Sequence, residues 1–322
     1  MACYSPLKGF KNSNGALVFK RSQHTIGKME VACGQCLGCR LDKSLMWAMR
    51  IVHESHLHKH TNGNCFVTFT YRSEKECTDE QFKNHYYVPE DYSLNYHHFR
   101  DFIKRLRRHF NPTDEDGELK KPYQTIRYFH CGEYGDENLR PHYHACLFNI
   151  EFDDVHVYSQ QEGLTTYESE TLQKLWPYGF CTIGELNFET ASYTAGYILK
   201  KITGNEALET YLRSDDYGVA YWVKPPYITM SLKPGIGSEF YEKYKTDFFP
   251  SDESPVPGKG IIKKVPRYYE TILQHSDPSM HEMVKNLRQE WIAKHREDFE
   301  PERLHDKYKC ARARLSNRKR AL

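Results

Sequence analysis

Two strand patterns separated by a single turn constrain this chain more than any other feature. Residues 125–133, TIRYFHCGE, and 142–150, HYHACLFNI, are rich in aromatic and β-branched residues, and the intervening YGDENLRP carries the Gly, Asp, Asn and Pro of a turn. They predict an antiparallel hairpin, and two such apolar strands need further strands beside them and a covering layer. The flanking segments offer both. CFVTFTY at 65–71 reads as a strand after the turn signal Asn62-Gly63-Asn64, and residues 95–110 place Phe99, Phe102, Ile103, Leu106 and Phe110 on one side of an amphipathic helix. A short helical pattern near 168–175 leads to a strand in GFCTIGEL, and a helix from about Glu189 to Ile202 closes at Gly204. This order predicts an α+β fold in which an antiparallel sheet carries helices mainly on one face.

Outside the range 61–204 the pattern changes. Residues 1–60 read as a cysteine-rich element followed by a helix from Asp42 to His58, and 205–322 as an irregular extension punctuated by Pro225-Pro226, Pro234-Gly235 and Pro257-Gly258. That extension holds a charged helix from about Pro278 to Phe299 and ends in a basic tail. A length of 322 residues fits one main domain with terminal additions. No run approaches the roughly 18 apolar residues of a membrane span, and the start, MACYSPLKGFK, lacks the apolar stretch of a secretory signal. A soluble, intracellular protein without a membrane partner is expected.

A net charge of +2 does not by itself imply a polyanion partner, because binding follows local clustering. Two clusters exist. RDFIKRLRRH at 100–109 gathers Arg105, Arg107 and Arg108, and the tail gathers Arg303, Lys307, Lys309, Arg312, Arg314, Arg318, Lys319 and Arg320. Such clusters suit a DNA backbone, although solvated helix faces look alike. The 24 tyrosines suit unpaired bases, which stack on aromatic rings.

Pro141-His142-Tyr143-His144 opens a strand pattern, and residues two apart on a strand share a face, so both imidazoles aim at one point. Two histidines can share a divalent cation, and Glu133, on the pairing strand, would complete a set suited to Mg²⁺ or Mn²⁺, with Asp136 and Glu137 as competitors. About one His-x-His arises by chance among 17 histidines, so spacing alone is weak. His56, His58 and His60 have the same spacing but fall at a helix end, where such residues do not face each other. On the last core helix, Tyr193 and Tyr197 lie one turn apart, with Lys200 and Lys201 following on the same side. A buried aromatic stripe is the rival reading, but it would not need the lysines.

Cys33-Gly-Gln-Cys36-Leu-Gly-Cys39 has a chance expectation of only about 0.01, and Cys3 is available as a fourth ligand. Structural Zn²⁺, free thiols and an iron–sulfur cluster all fit this spacing. No GxxxxGK[ST] loop occurs, so a helicase motor must be a separate protein.

Taken in order, FVTFTY, CGEYGDENLRPHYHACLF and YTAGYILKK resemble the HUH endonuclease superfamily, and more closely the replication initiation proteins of gokushovirus-type microviruses. CGQCLGCR, ITMSLKPGIGSEFYEKY and KVPRYYETIL also resemble segments of those phage proteins, so the likeness spans nearly the whole chain. The resemblance implies a sheet of about five strands with the histidine strand in the middle and the tyrosine helix beside it. It implies His142 and His144 as metal ligands, Tyr193 and Tyr197 as paired nucleophiles, and Lys200 or Lys201 as the lysine that follows them. The third ligand varies across the superfamily. It further implies nicking and rejoining of single-stranded DNA at a replication origin through a 5′-phosphotyrosine ester, in the cytoplasm of a bacterial host whose helicase and DNA polymerase do the copying. An HUH transposase, a plasmid relaxase, or a non-catalytic zinc-stabilised DNA-binding protein are the rivals. Of the two tyrosines, Tyr197 is expected to attack first, being nearer the lysines, whose charge favours a phenolate.

Overall fold

The computed structural model describes residues 3–135, 138–161, 163–200, 205–214 and 217–319, without the side chains of 198–200, 205, 206, 208 and 317–319. The chain forms two compact units, one of residues 1–46 with 270–322 and one of residues 47–269.

The first unit begins with a small antiparallel sheet that the sequence did not announce. Its strands β1 (Leu7–Asn12), β2 (Leu17–Val18) and β3 (Thr25–Val31) stand in the order β2-β1-β3, and none of their residues is buried. Helix α1 (Leu37–His58) follows and runs on into the second unit, extending the expected helix by more than a turn at its start.

In the second unit come β4 (Asn64–Phe69), α2 (Asp79–Lys83), α3 (Tyr96–Phe110), β5 (Arg127–Tyr134) and β6 (Pro141–Phe148). They are followed by β7 (His156–Gln161), β8 (Leu164–Glu168), α4 (Glu170–Leu175), β9 (Cys181–Gly184) and α5 (Phe188–Lys200). Then come α6 (Asn205–Thr210), β10 (Leu212–Ser214), β11 (Ala220–Trp222), β12 (Tyr227–Met230), α7 (Ser238–Phe248), β13 (Ser254–Val256) and β14 (Gly260–Ile262). Seven of these strands make one fully antiparallel sheet in the order β12-β5-β6-β4-β9-β8-β7. The histidine strand β6 is interior, between β5 and β4.

The expected count of about five strands is thus corrected to seven. β7 and β8 were hidden because they form the sheet's outer edge and bury no residue, so their sequences, HVYSQQ and LTTYE, carry no apolar alternation. β12 is only four residues long and lies beyond 204, so the range 61–204 supplies six of the seven strands. Nor is the rest of 205–269 without structure, since it holds two helices and two further hairpins.

Helices cover both faces, not mainly one. On one face α3 buries Phe99, Phe102, Ile103 and Leu106, and the rings of Phe99, Phe102 and Trp176 surround Phe69 of β4 at 5.8, 4.7 and 5.0 Å. Each such aromatic is worth about 1.5–3 kcal/mol in burial. On the other face Trp47 of α1 lies 5.1 Å from Phe129 of β5, and α5 packs against β5 and β6. That side also has a buried ion pair between Arg127 of β5 and Glu54 of α1. Glu54 Oε2 accepts from the Gly237 N–H at 2.7 Å, tying in the start of α7. Gly237 has φ +77°, and a Cβ there would lie 2.3 Å from the Tyr269 hydroxyl, so only glycine fits this crossing.

The chain ends in the first unit with α8 (Arg267–Ser276), α9 (Pro278–Lys294) and α10 (Pro301–Lys319). The charged helix expected from Pro278 is α9, and the basic tail is the helix α10. Of its cations, Arg320 and the side chains of Arg318 and Lys319 lie outside the described residues.

Candidate functional site

Strand register builds the site. In the β5–β6 ladder Glu133 stands directly opposite His142 and Cys131 opposite His144, so Glu133, His142 and His144 share one face. His142 Nε2 lies 2.8 Å from Glu133 Oε1, and His144 Nε2 lies 3.4 Å from the same oxygen. The three ligand atoms fall within 4.8 Å of one another. An octahedron with bonds near 2.1 Å has edges of about 3.0 Å, so the observed spacings fit a small hard cation held by two imidazoles and one carboxylate. Among the described residues, His56, His58 and His60 form no such group.

Each ligand is held from behind. His144 Nδ1 is 3.0 Å from the Thr68 hydroxyl on β4, which stands opposite it in the ladder, so its Nε2 is turned toward Glu133. His142 Nδ1 is 3.3 Å from the Arg140 carbonyl. The His144 ring lies between two parallel rings, Phe66 at 5.7 Å and Tyr197 at 5.2 Å. Gly132, next to Glu133, admits the Tyr227 ring of β12, since an added Cβ would lie 2.8 Å from it.

Helix α5 brings both tyrosines to this point. The Tyr197 hydroxyl is 3.4 Å from His144 Nε2, and the Tyr193 ring is 5.2 Å from the His144 ring and 4.9 Å from that of Tyr197. The two differ in access, Tyr193 being 43% exposed and Tyr197 only 5%. Below them the Cys146 thiol and the Thr194 hydroxyl meet at 3.7 Å, seating α5 on β6. From the opposite end, Lys259 of the β13–β14 hairpin pairs with Glu189 in the first turn of α5.

The electrostatics are those of one coupled cluster. Burial works to raise the Glu133 carboxyl, but hydrogen bonds with His142, His144 and Tyr197 outweigh it and hold it below the ordinary carboxylate range. Burial first, and the Glu133 charge second, hold the Tyr197 phenol well above its ordinary range. Glu133 is therefore ionised and ready as a ligand, while Tyr197 stays protonated.

A family model of the ORF2-type replication-associated protein matches residues 64–202, the segment from β4 through the tyrosine helix. The chain is 33% identical over 285 residues to replication-associated protein ORF2 of Spiroplasma virus 4, covering 84% of this chain and 79% of that protein. It is 30% identical over 282 residues to replication-associated protein VP4 of Bdellovibrio phage phiMH2K, with 86% and 79% covered. The chain belongs to the microvirus family of replication-associated proteins. Replication-associated protein ORF4 of Chlamydia phage 1 is 27% identical over 174 residues, 52% of this chain and 38% of the relative. No solved structure matches.

Within this replication protein the sequence-derived residues separate into groups. Glu133, His142, His144, Tyr193 and Tyr197 come together. The side chain of Lys200, all of Lys201, and the competing Asp136 and Glu137 lie outside the described residues. Arg105, Arg107 and Arg108 sit on α3, across the sheet from the tyrosines. Arg105 donates to the Leu175 carbonyl and Arg107 to that of Ile126, while Arg108 is exposed. Cys3, Cys33, Cys36 and Cys39 form a second group in the first unit. Thr68 and Phe66 escaped the sequence reading. Their place beside His144 is a matter of β4–β6 register, which no spacing along the chain reveals.

Proposed function

We propose that this chain is a metal-dependent endonuclease and strand transferase that cuts single-stranded DNA at a replication origin, keeps the 5′ end as a phosphotyrosine ester, and rejoins it to complete rolling-circle replication. The observation that carries this reading is the meeting of the Tyr197 hydroxyl, the Tyr193 ring and the Glu133–His142–His144 group in one place. A phenol is a poor nucleophile at neutral pH and needs a group that polarises the phosphate it attacks. A divalent ion such as Mg²⁺ or Mn²⁺, held by Glu133, His142 and His144, would draw charge from the non-bridging oxygens and orient the scissile phosphate.

The phenolic oxygen bonds to phosphorus as the bond to the 3′-oxygen breaks, and the phenol's proton ends on that oxygen. The products are a 5′-phosphotyrosine and a free 3′-hydroxyl, which primes the host polymerase behind a host helicase in the bacterial cytoplasm. Attack by a 3′-hydroxyl on the ester runs the step backwards and reseals the strand. The exposure of Tyr193 assigns it the first cut on a strand arriving from solvent, in place of the order expected from lysine proximity. Tyr197, flat against His144, takes the second transfer. Lys200 and Lys201 follow the tyrosines closely enough in sequence to offset charge on the phosphate.

The test is a labelled single-stranded origin incubated with protein and Mg²⁺ or Mn²⁺, then denatured and run on a gel. Labelled protein is expected from the wild type and none from Tyr193→Phe/Tyr197→Phe. Covalent labelling of the double variant would remove the two-tyrosine mechanism.

A further inference from the structure

The four-cysteine group stands apart from the nicking chemistry. Cys3, Cys33, Cys36 and Cys39 place their sulfurs within 4.8 Å of one another, and Cys3 Sγ is 3.8 Å from Cys36 Sγ. Tetrahedral Zn–S bonds near 2.3 Å give a sulfur–sulfur edge of about 3.8 Å, so the group has the size of a single-ion site. A cluster with its own sulfides between the cysteines would hold them further apart. Backbone donors already face the sulfurs: Tyr4 N–H to Cys36 at 3.3 Å, Cys33 N–H to Cys3 at 3.3 Å, and Cys36 N–H to Cys33 at 3.2 Å. Such bonds spread the charge of thiolates. Cys36 and Cys39 also sit at the N-terminus of the 22-residue helix α1, whose dipole favours anions there.

What surrounds the group explains why an ion is needed. No residue of β1, β2 or β3 is buried, and the buried apolar side chains among the described residues of this unit are Cys3, Leu273, Val284 and Leu304. A three-stranded sheet with no apolar face has no hydrophobic means of holding itself. The cysteines flank it, Cys3 just before β1 and Cys33 just after β3, with Cys36 and Cys39 at the start of α1.

We propose that Cys3, Cys33, Cys36 and Cys39 bind one structural Zn²⁺ that clasps both ends of the β1–β3 sheet to the start of α1, and that this sheet folds only when the ion is bound. The clasp takes no part in nicking and does not depend on that reading.

Metal analysis of the full chain carrying His142→Ala/His144→Ala, purified without chelators, excludes any ion held at the other site. About one zinc per chain is expected there, on the stoichiometry of a four-thiolate site, and its loss on adding Cys33→Ser/Cys36→Ser. Should the serine variant not fold, a chelator added to otherwise unaltered protein is the second arm. Zinc release should expose the four thiols to a thiol reagent and open residues 7–31 to protease, while the 47–269 unit stays resistant. Absence of zinc with all four thiols reactive, iron in its place, zinc retained after the serine changes, or a sheet equally protease-resistant without metal would each overturn the proposal.

Discussion

The two faces of β6 are built from one strand and do opposite work. On one face, Tyr143, Ala145 and Leu147 are fully buried, and the Tyr143 hydroxyl accepts from the Asn95 N–H at 2.9 Å, donates to the Asn95 carbonyl at 3.0 Å and meets the Tyr71 hydroxyl at 2.7 Å. On the other, His142 and His144 turn toward a carboxylate and two phenols. The packed face fixes where the strand lies, and alternation along the strand then fixes where the imidazoles point. Placement of the site is therefore a property of residues that never touch it.

The largest expected effect separates the faces outright. His142→Ala/His144→Ala should abolish origin cleavage while shifting the unfolding free energy by less than about 1 kcal/mol, because ligands at a cleft contribute little packing. Tyr143→Ala, between them in sequence, should cost about 3–5 kcal/mol by opening a cavity in the aromatic core. Urea unfolding with a cleavage assay on the same samples checks both. Equal destabilisation by the two changes would erase the distinction.

A smaller effect divides the tyrosines. Tyr193→Phe should slow the first cut at least about tenfold, whereas Tyr197→Phe should leave that cut and block the later transfer. Single-turnover cleavage, followed by addition of a strand with a free 3′-hydroxyl, measures the two steps separately. The opposite pattern would restore Tyr197 to the first attack.

The smallest effect is on pH dependence and belongs to the packed side. Burial lowers His98, 2.7 Å from the Tyr71 hydroxyl, to about 4, and it lowers His53, within the α1–α7 packing, to about 3. Both are neutral when folded, so below the ordinary value of 6.5 the unfolded chain binds protons that the folded chain refuses. Stability should therefore fall as pH drops through 6.5, by up to about 1.4 kcal/mol per pH unit for each histidine. His98→Gln should flatten that slope in urea midpoints taken between pH 7 and pH 5. An unchanged slope would mean that His98 does not titrate with unfolding.

The sequence disclosed whatever depends on period and residue type. Period two placed His142 and His144 on one face, period 3.6 placed Tyr193 and Tyr197 together, and apolar runs marked β4, β5, β6, α3 and α5. It concealed what depends on pairing at a distance. Thr68 meets His144 only through ladder register, the exposed strands β7 and β8 lack the alternation that burial imposes, and β1 to β3 bury nothing. The arginines of α3 illustrate the converse, since a basic cluster along the chain cannot tell that two of its members are spent on the carbonyls of Leu175 and Ile126.

The sheet's order of assembly differs from its order in space. β5 carries Glu133, and its outer edge is covered by β12, a strand made only after α5 and the segment that follows it. Until Met230 has left the ribosome, the β5 backbone offers a row of N–H and C=O groups to whichever strand arrives first, including one from another copy. A fragment cut at 204 holds both histidines and both tyrosines yet keeps that edge open permanently. A minimal nicking fragment has to run at least through β12, because the last strand of the sheet is also the lid on its most adhesive border.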